Sequence, residues 1–598
     1  MDLNEVKSFY NEIIKTERTK HSALNKTIFK VGTLRLVIVL ACLLVCYLMW
    51  HNTPVVIGGI AASVIFFACL LVFHNKLFRR RLYSENRIKN AENELKGIDY
   101  DFSAFDGAPE KMNGEHSFSL DLDIFGNRSF FQSINRTVTS FGKDALADAI
   151  LNPLENKSNI LSRQEAVKEL AHNPKLVMHF RTIGSMTETD TLNTKDFADA
   201  FSQPLRFLNS KFWMAMLYAI PALYIIWFIL FGLNIAPGET FIFLYTLTLV
   251  VSSLPIKKSN TILNIFDKKT AVLETYMQLF SIVEKEEFKS DLLKDNQKLL
   301  GDIQKASQAI AKLKSHHNNL AMSVTFPVFL LFNPLMVWNV RYAAKVEKWM
   351  QTYKNDIKEW FDAIAHFDAL VSLSVFAFNH PDYTYPTVAE TFTFEGEELG
   401  HPLINRNVCV RNDVHIPAKP YFLVVTGANM AGKSTYLRTI GLNHTMACVG
   451  MPVCAKSLKF YPGKLVTNLR TADSLADNES YFFAELKRLK MIIDRLNAGE
   501  ELFIILDEIL KGTNSEDKQK GSLALIRQLI SLKANGVIAT HDLVLGNLEK
   551  EFPEYVKDYR FEADIVNDRL SFSYKIREGV AQNMNASFLM KKMGITGL

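Results

Sequence analysis

The stretch from Leu36 to Asn75 contains no charged residue, and His51-Asn-Thr-Pro54 divides it into two apolar halves. Each half is about as long as the roughly 20 residues needed to cross a bilayer as a helix. Lys20, Lys26, Lys30 and Arg35 precede the stretch, and Lys76, Arg79, Arg80 and Arg81 follow it. Basic residues on both flanks and none in the turn predict a helical hairpin with both ends in the cytoplasm. A second block, Phe212 to Ile256, is interrupted by Asn234-Ile-Ala-Pro-Gly-Glu239 and bounded by Arg206, Lys211, Lys257 and Lys258. It predicts a second hairpin of the same orientation, with a shorter second half. A third apolar stretch, Ala321 to Val340, carries Pro327, Asn333, Pro334 and Asn339. Polar groups need internal partners in lipid, and a fifth crossing would move the C-terminal part of the chain to the other face, so this stretch is expected to be buried in protein.

These blocks disappear in the averages: 48% hydrophobic residues, 22% charged, a net charge of +5 and a mean hydropathy of +0.03. So small a charge over 598 residues permits nucleic-acid binding without arguing for it. Cys42, Cys46 and Cys69 lie in apolar runs, while Cys409, Cys448 and Cys454 show no metal-like spacing, so a structural zinc is not expected and a reducing cytoplasm fits. The first 30 residues mix acids with lysines and have no apolar core, unlike a cleaved signal peptide.

Between and after the hairpins the periodicity is helical. Leu273, Met277, Phe280 and Val283 mark a long polar helix over about 270–317. Val346, Met350, Tyr353, Ile357, Trp360, Ile364, Phe367 and Val371 mark another, at spacings of three and four. Such stripes are packing faces, and helices of this length suit levers. After His380-Pro381 short apolar runs alternate with helical segments, the pattern of an α/β domain with a mainly parallel sheet.

In that part Tyr421-Phe-Leu-Val-Val425 reads as a buried strand, followed at once by Gly427-Ala428-Asn429-Met430-Ala431-Gly432-Lys433-Ser434-Thr435 and a helix. A GxxxxGK[ST] loop between strand and helix lets backbone N–H groups close around phosphates, with the positive end of the helix dipole behind them. Lys433 is placed to neutralise the β- and γ-phosphates of ATP, and the Ser434 hydroxyl to ligate Mg²⁺. Leu502 to Leu506 is a second buried strand, ending in Asp507-Glu508. An aspartate at a strand tip can hold magnesium, and the adjacent glutamate can orient or deprotonate the attacking water. A third strand, Gly536 to Thr540, ends in His541, whose imidazole could reach the γ-phosphate.

These segments resemble the ATPase domain of the MutS family, a branch of the ABC-type ATPases. Gly427 to Arg438 is similar to that family's GPNMGGKSTYLR, with Ala428 and Ala431 as departures; Asp507-Glu508 opens a segment similar to DEIGRGT, and Ala539-Thr-His-Asp542 matches its ATH switch. Ser480-Tyr-Phe-Phe-Ala-Glu485 resembles the family's signature segment. The resemblance implies that Ser480 acts on the partner's nucleotide in a dimer with two composite sites, and that Asn429 contacts the γ-phosphate region or the catalytic water. Leu122 to Gly126, Ser133 to Gly142, Arg163 to Val167 and Phe367 to Leu373 resemble the family's lever domain, and Gly579 to Ile595 its dimer-forming tail. Nothing resembles the mismatch-recognition domain or its Phe-x-Glu wedge, and Cys409 stands where the family often places an aromatic residue against adenine.

The expected architecture is an α/β P-loop (ABC-type) ATPase domain preceded by an all-α lever domain carrying transmembrane hairpins. Its parts are an N-terminal cytoplasmic segment (1–30), hairpin 1 (31–75), a basic helix and linker (76–116), the first part of the lever domain (117–210), hairpin 2 (211–256), long lever helices (257–385), and the ATPase domain with its dimer element (386–598). The expected function is hydrolysis of ATP with Mg²⁺ by a homodimer at the cytoplasmic face of a membrane, coupled to DNA binding or repair, or to a protein partner. The alternatives are an ATP-gated membrane scaffold and a relative of ABC-type transporters, neither of which binds DNA.

Overall fold

The computed structural model describes residues 2–187, 201, 204–266, 269–301, 305–428, 430–470, 481–511, 513–566 and 569–582. The first hairpin is far longer than its apolar part. Helix α1 (Leu3–Leu48) and α2 (Thr53–Ile98) have 46 residues each, about 69 Å at 1.5 Å per residue. The expected N-terminal segment and basic helix are therefore not separate units. They are the polar halves of two continuous helices, paired as a stalk through Arg18–Glu92, His21–Glu85 and Ser84–Glu17.

The lever domain begins with α3 (Phe130–Ile134), α4 (Ser140–Leu151), α5 (Lys157–Ala171) and α6 (Pro174–Gly184). The second hairpin is α7 (Lys211–Gly232) and α8 (Glu239–Ser253), followed by α9 (Ile256–Phe266) after a bend of 51°. Tyr224 and Thr248 share a 2.6 Å hydrogen bond across it. The polar helix expected over 270–317 is three helices: α10 (Thr270–Lys285), α11 (Asp291–Leu299) and α12 (Ala306–Met322). Gln297 donates to the carbonyls of Val283 and Glu286, and the Glu169 carboxylate accepts from Lys289 N and Ser290 N, which fixes the first break.

The expectation of a buried stretch at 321–340 is not met. Helix α13 (Phe326–Met336) turns back from α12 by 103° and packs beside α7 and α8, with Phe326, Leu331 and Met336 exposed. Of α13 only Asn333 and Pro334 are buried; Asn333 donates to Ser323 O, and the buried Asn339 of the next helix donates to Ser252 O. The following long helix is also two, α14 (Trp338–Tyr353) and α15 (Asp356–Asn379), and their predicted apolar stripe from Val346 to Val371 is buried throughout.

Four described helices are long and apolar enough to cross a membrane, or up to six if each bent pair counts as one span. Of the four, α15 is 83% buried over its apolar window, a core helix, whereas the windows of α1, α2 and α7 are 6%, 0% and 17% buried. An apolar surface of that extent exceeds what water-soluble folds leave open.

The C-terminal part contains strands β1 (Thr387–Val388), β2 (Phe394–Leu399), β3 (Asn412–Ile416), β4 (Tyr421–Gly427), β5 (Ser457–Phe460), β6 (Lys464–Asn468), β7 (Leu502–Asp507), β8 (Asn535–Thr540), β9 (Val556–Phe561), β10 (Ala563–Val566), β11 (Arg569–Phe572) and β12 (Arg577–Glu578). The main sheet has the order β12-β9-β4-β8-β7-β6, parallel except for the edge strand β12. Its central strands bury both faces. Leu423, Val425, Phe503 and Ile505 face the core shared with the lever helices, while Phe422, Val424, Ile504 and Leu506 alternate into a second core on the other side. Helix α16 (Lys433–Val449) covers the first face; α17 (Tyr481–Asn497) and α18 (Ser515–Ser531) cover the second. A small sheet, β1-β5-β2-β3, flanks this layer and has no counterpart in the sequence expectations.

Candidate functional site

Strands β4, β8 and β7 are neighbours running the same way, so their C-terminal ends open on one edge. Ligands in open parallel sheets bind at that edge. The loop 427–432 leaves β4 there, Asp507 and Glu508 end β7, and His541 follows β8. The loop needs its glycines. Gly427 has φ 147°, and a Cβ on it would lie 2.5 Å from the Phe561 carbonyl oxygen; Gly432, at φ 109°, starts α16. The N-terminal amides of α16 then point into the cleft, unshielded by any side-chain cap.

Within the cleft Lys433 curls back over the loop, its Nζ donating to Gly427 O (2.7 Å) and Ala428 O (3.0 Å). Burial pulls its pKa down to about 8, opposed by the nearby Asp507 carboxylate. Ser434 Oγ donates to Asp507 Oδ2 at 2.5 Å. Two oxygens so paired, at the mouth of a phosphate-type loop, suit Mg²⁺, which takes one or two protein ligands and completes its shell with waters and phosphates.

Glu508 adopts φ 47°, a left-handed conformation that a glutamate occupies only when its surroundings hold it. Its backbone N–H donates to Ala539 O at 2.9 Å, and its carboxylate lies 2.5 Å from His541 Nε2 and 3.4 Å from Lys511 Nζ. Burial first, then Lys433, lowers the pKa of His541, opposed by a hydrogen bond to the Gly427 backbone and by Asp507. Nε2 of the ring faces the Glu508 carboxylate, and the two ring nitrogens lie 3.3 and 3.4 Å from Lys433 Nζ.

The structure thus brings Lys433, Ser434, Asp507, Glu508 and His541 together around one cleft of about 600 Å³, which Ala428, Met430, Gly432 and Thr435 also line. Ala431 is buried under the loop. Asn429 and Ser480, both expected at the site, lie outside the described residues, as does the tail beyond 582. Cys409 lines the same cleft, as do His401, Val408 and Tyr574.

Two features of the site carried no sequence signal. Tyr574 leaves β11 at φ 52° and is tied to β3, whose Asn412 side chain donates to Tyr574 O. Lys511 reaches Glu508 from the loop after β7. Glu485 was legible as part of a segment but not in its role: buried in α17, it accepts hydrogen bonds from Leu510 N and Lys511 N.

The cleft is joined to both helical parts. Asp121 accepts from Thr467 Oγ1, Leu469 N and Arg470 N, and the Arg470 guanidinium forks onto both oxygens of Asp123 at 2.7 and 2.9 Å. At the other end of the lever domain, Glu94 of α2 is fully buried between Arg136 (2.8 Å) and Arg181 (2.7 Å). It also accepts from Asn379, at the end of α15, whose side-chain oxygen takes the Tyr10 hydroxyl of α1.

A family model described as MutS domain V matches residues 423–594, and one described as MutS domain III matches residues 118–374. MutS protein homolog 4 of Homo sapiens is 30% identical over 234 residues, which are 38% of this chain and 24% of that protein. The DNA mismatch repair protein MutS of Thermotoga neapolitana is 31% identical over 238 residues, 39% of this chain and 29% of its own length. That of Thermotoga maritima is 30% identical over 249 residues, 41% and 31% respectively. The chain thus spans about a quarter to a third of the length of these relatives. One family accounts for both the lever helices and the nucleotide-type cleft, and the chain belongs to it: it is a member of the MutS family.

Proposed function

We propose that the chain is a membrane-anchored ATPase that binds and hydrolyses ATP with Mg²⁺ as a homodimer. The observation that carries this is the convergence of Lys433, Ser434, Asp507, Glu508 and His541 on one cleft at the ends of three adjacent parallel strands. The loop amides and Lys433 grip the phosphates. Ser434 and Asp507 would hold a magnesium ion, which when bound would supply positive charge against the phosphates. Glu508 accepts the proton of the attacking water as its oxygen bonds to the γ-phosphorus and ADP departs. His541 holds the Glu508 carboxylate in place and can turn to the γ-phosphate. Ser480, by its motif, completes the site of a partner copy.

The anchor is formed by α1, α2, α7 and α8, which puts the ATPase domain in the cytoplasm beside the basic flanks. Opening and closing of the dimer passes through Asp121 and Asp123 to the lever helices, and through Glu94 to the stalk. The names of the relatives point to DNA repair, and DNA is the polymer proposed to regulate turnover, with a protein partner at the membrane as the other route.

ATP hydrolysis by detergent-solubilised protein tests this. Glu508→Gln is expected to keep ATP binding and to lose turnover by about 100-fold or more. Unchanged turnover removes Glu508 from its role. Stimulation by duplex or branched DNA supports coupling to DNA; indifference to every DNA structure leaves the membrane-centred role.

A further inference from the structure

A cavity of about 730 Å³ lies away from the nucleotide cleft, between the polar half of the first hairpin and the lever helices α6 and α10. Its volume falls within the range of about 300–1,000 Å³ typical of small-molecule sites. Its lining sets apolar Leu24, Met186 and Met277 beside Lys20, Arg79, Arg80 and Arg87, with Glu17 and Glu274 as its carboxylates.

The two carboxylates are fully engaged. Glu17 takes Lys20, Arg87 and the Ser84 hydroxyl, and Glu274 takes Arg79 and Lys314. Arg80 is exposed and pairs with no described residue. The wall therefore keeps an excess of two positive charges facing apolar side chains, a composition that suits an amphiphilic anion rather than a neutral molecule or a cation.

Position narrows the ligand further. Arg79 and Arg80 follow the end of the uncharged run at Asn75 by four and five residues, about 6–8 Å along the helix. The polar zone of a bilayer is about 5–8 Å thick on each side of its hydrocarbon core. If α1 and α2 cross a membrane, as proposed above, these two guanidinium groups stand at the level of lipid phosphates, with the mouth of an apolar-walled cavity beside them. We infer that this cavity holds the phosphate headgroup of an acidic membrane lipid, gripped by Arg79 and Arg80 between the stalk and the lever domain. A lipid seated there touches the stalk (Thr27, Tyr83) and the lever helices (Ile183, Gln278) at once, so membrane composition would bear on the joint between them.

The test uses the full-length protein in phosphatidylcholine bilayer discs doped with phosphatidylglycerol, followed by exchange into detergent and measurement of the phosphatidylglycerol kept per chain. An Arg79→Gln/Arg80→Gln variant is compared with Lys89→Gln, which removes an exposed charge of the same helix outside the cavity. Two basic groups at a membrane surface predict about tenfold to thirtyfold weaker retention in the double variant and none in Lys89→Gln. Equal retention in all three proteins overturns the inference. So does release of the lipid by millimolar inorganic phosphate, which would make the site one for free anions. An alkaline carbonate wash of the source membranes tests the anchor separately: a chain that stays in the pellet but keeps lipid without Arg79 and Arg80 sinks the cavity assignment alone, whereas a chain released to the supernatant overturns the anchor itself.

Discussion

The Glu485 carboxylate accepts a hydrogen bond from the backbone N–H of Leu510 at 2.6 Å, and so fastens helix α17 to the loop that carries Glu508. The same carboxylate takes the N–H of Lys511 at 3.1 Å, and Lys511 in turn reaches Glu508. Glu485 is a positioning residue: it touches no substrate, yet it sets the turn from which the acid of the site projects. Because α17 begins immediately after Ser480, the bond also links the segment proposed to face a partner's nucleotide with Glu508, the proposed hydrolytic acid.

Replacing Glu485 with Ala leaves the buried N–H of Leu510 and the N–H of Lys511 without this acceptor and frees the loop. A misplacement of about 1 Å at a reacting group costs about 100-fold in rate. Steady-state kinetics of Glu485→Ala should show kcat falling by about 10- to 100-fold while the KM for ATP changes little, since the phosphate loop is on a different strand. A rise in KM with kcat unchanged would mean that Glu485 supports binding instead.

Substituting Glu94 with Leu should destabilise the junction between stalk and lever domain. Burial opposes ionisation of Glu94, but Arg136 and Arg181 hold its pKa below the usual carboxylate range. Removing it strands two guanidinium groups in the interior, and breaking a buried pair in this way costs about 3–5 kcal/mol. Thermal unfolding in detergent should show a lower midpoint for the variant, with Glu94→Gln intermediate. Equal midpoints would show that the triad adds no stability.

The acidity of Lys433 predicts a pH dependence with a definite sign. Its protonated form binds phosphate, and burial has brought its pKa to about 8. Below pH 8 the free protein is already charged there, so ATP affinity is level. Above it, binding must first protonate the amine, and affinity should fall by up to about tenfold per pH unit, with proton uptake on binding. Titration calorimetry in buffers of different ionisation heat would measure that uptake; affinity level from pH 7 to 9.5 would contradict it.

Ser434→Ala removes the hydroxyl that Asp507 now engages. The expected result is a higher Mg²⁺ concentration for half-maximal turnover, by about tenfold on the scale of one hydrogen bond to a charged group. Chelation of Mg²⁺ should stop hydrolysis in both proteins. A Mg²⁺ requirement identical to that of the parent would separate Ser434 from the metal.

The parts of this fold that could be read from sequence are those with a short-range cause. Tyr421 to Val425, Leu502 to Leu506 and Gly536 to Thr540 are strands because a parallel sheet buried on both faces demands unbroken apolar runs, and each run ends in the residues that form the cleft. The apolar halves of the first hairpin were equally plain. Its polar halves were not: Lys15 to Lys30 carries no hydrophobic signal, and only pairing with α2 shows that the helix is continuous from Leu3. Breaks at 286–290 and 354–355 were invisible because the apolar stripe stays in phase across them and no glycine or proline marks them; tertiary hydrogen bonds, such as those of Glu169 and Gln297, decide the first. The stretch 321–340 departs from the expectation because a few polar residues and a topological argument do not require a whole segment to be enclosed. The structure encloses one face and leaves the other apolar and open.

Equilibrium binding of labelled ATP to the full-length protein and to its Lys433→Ala variant tests the central claim most directly. With the only side-chain cation of the loop removed, affinity should fall by about 10- to 100-fold, the worth of a hydrogen bond to a charged group in a shielded site. If the variant takes up ATP as tightly as the parent, the cleft at the end of β4 is not where the triphosphate is held.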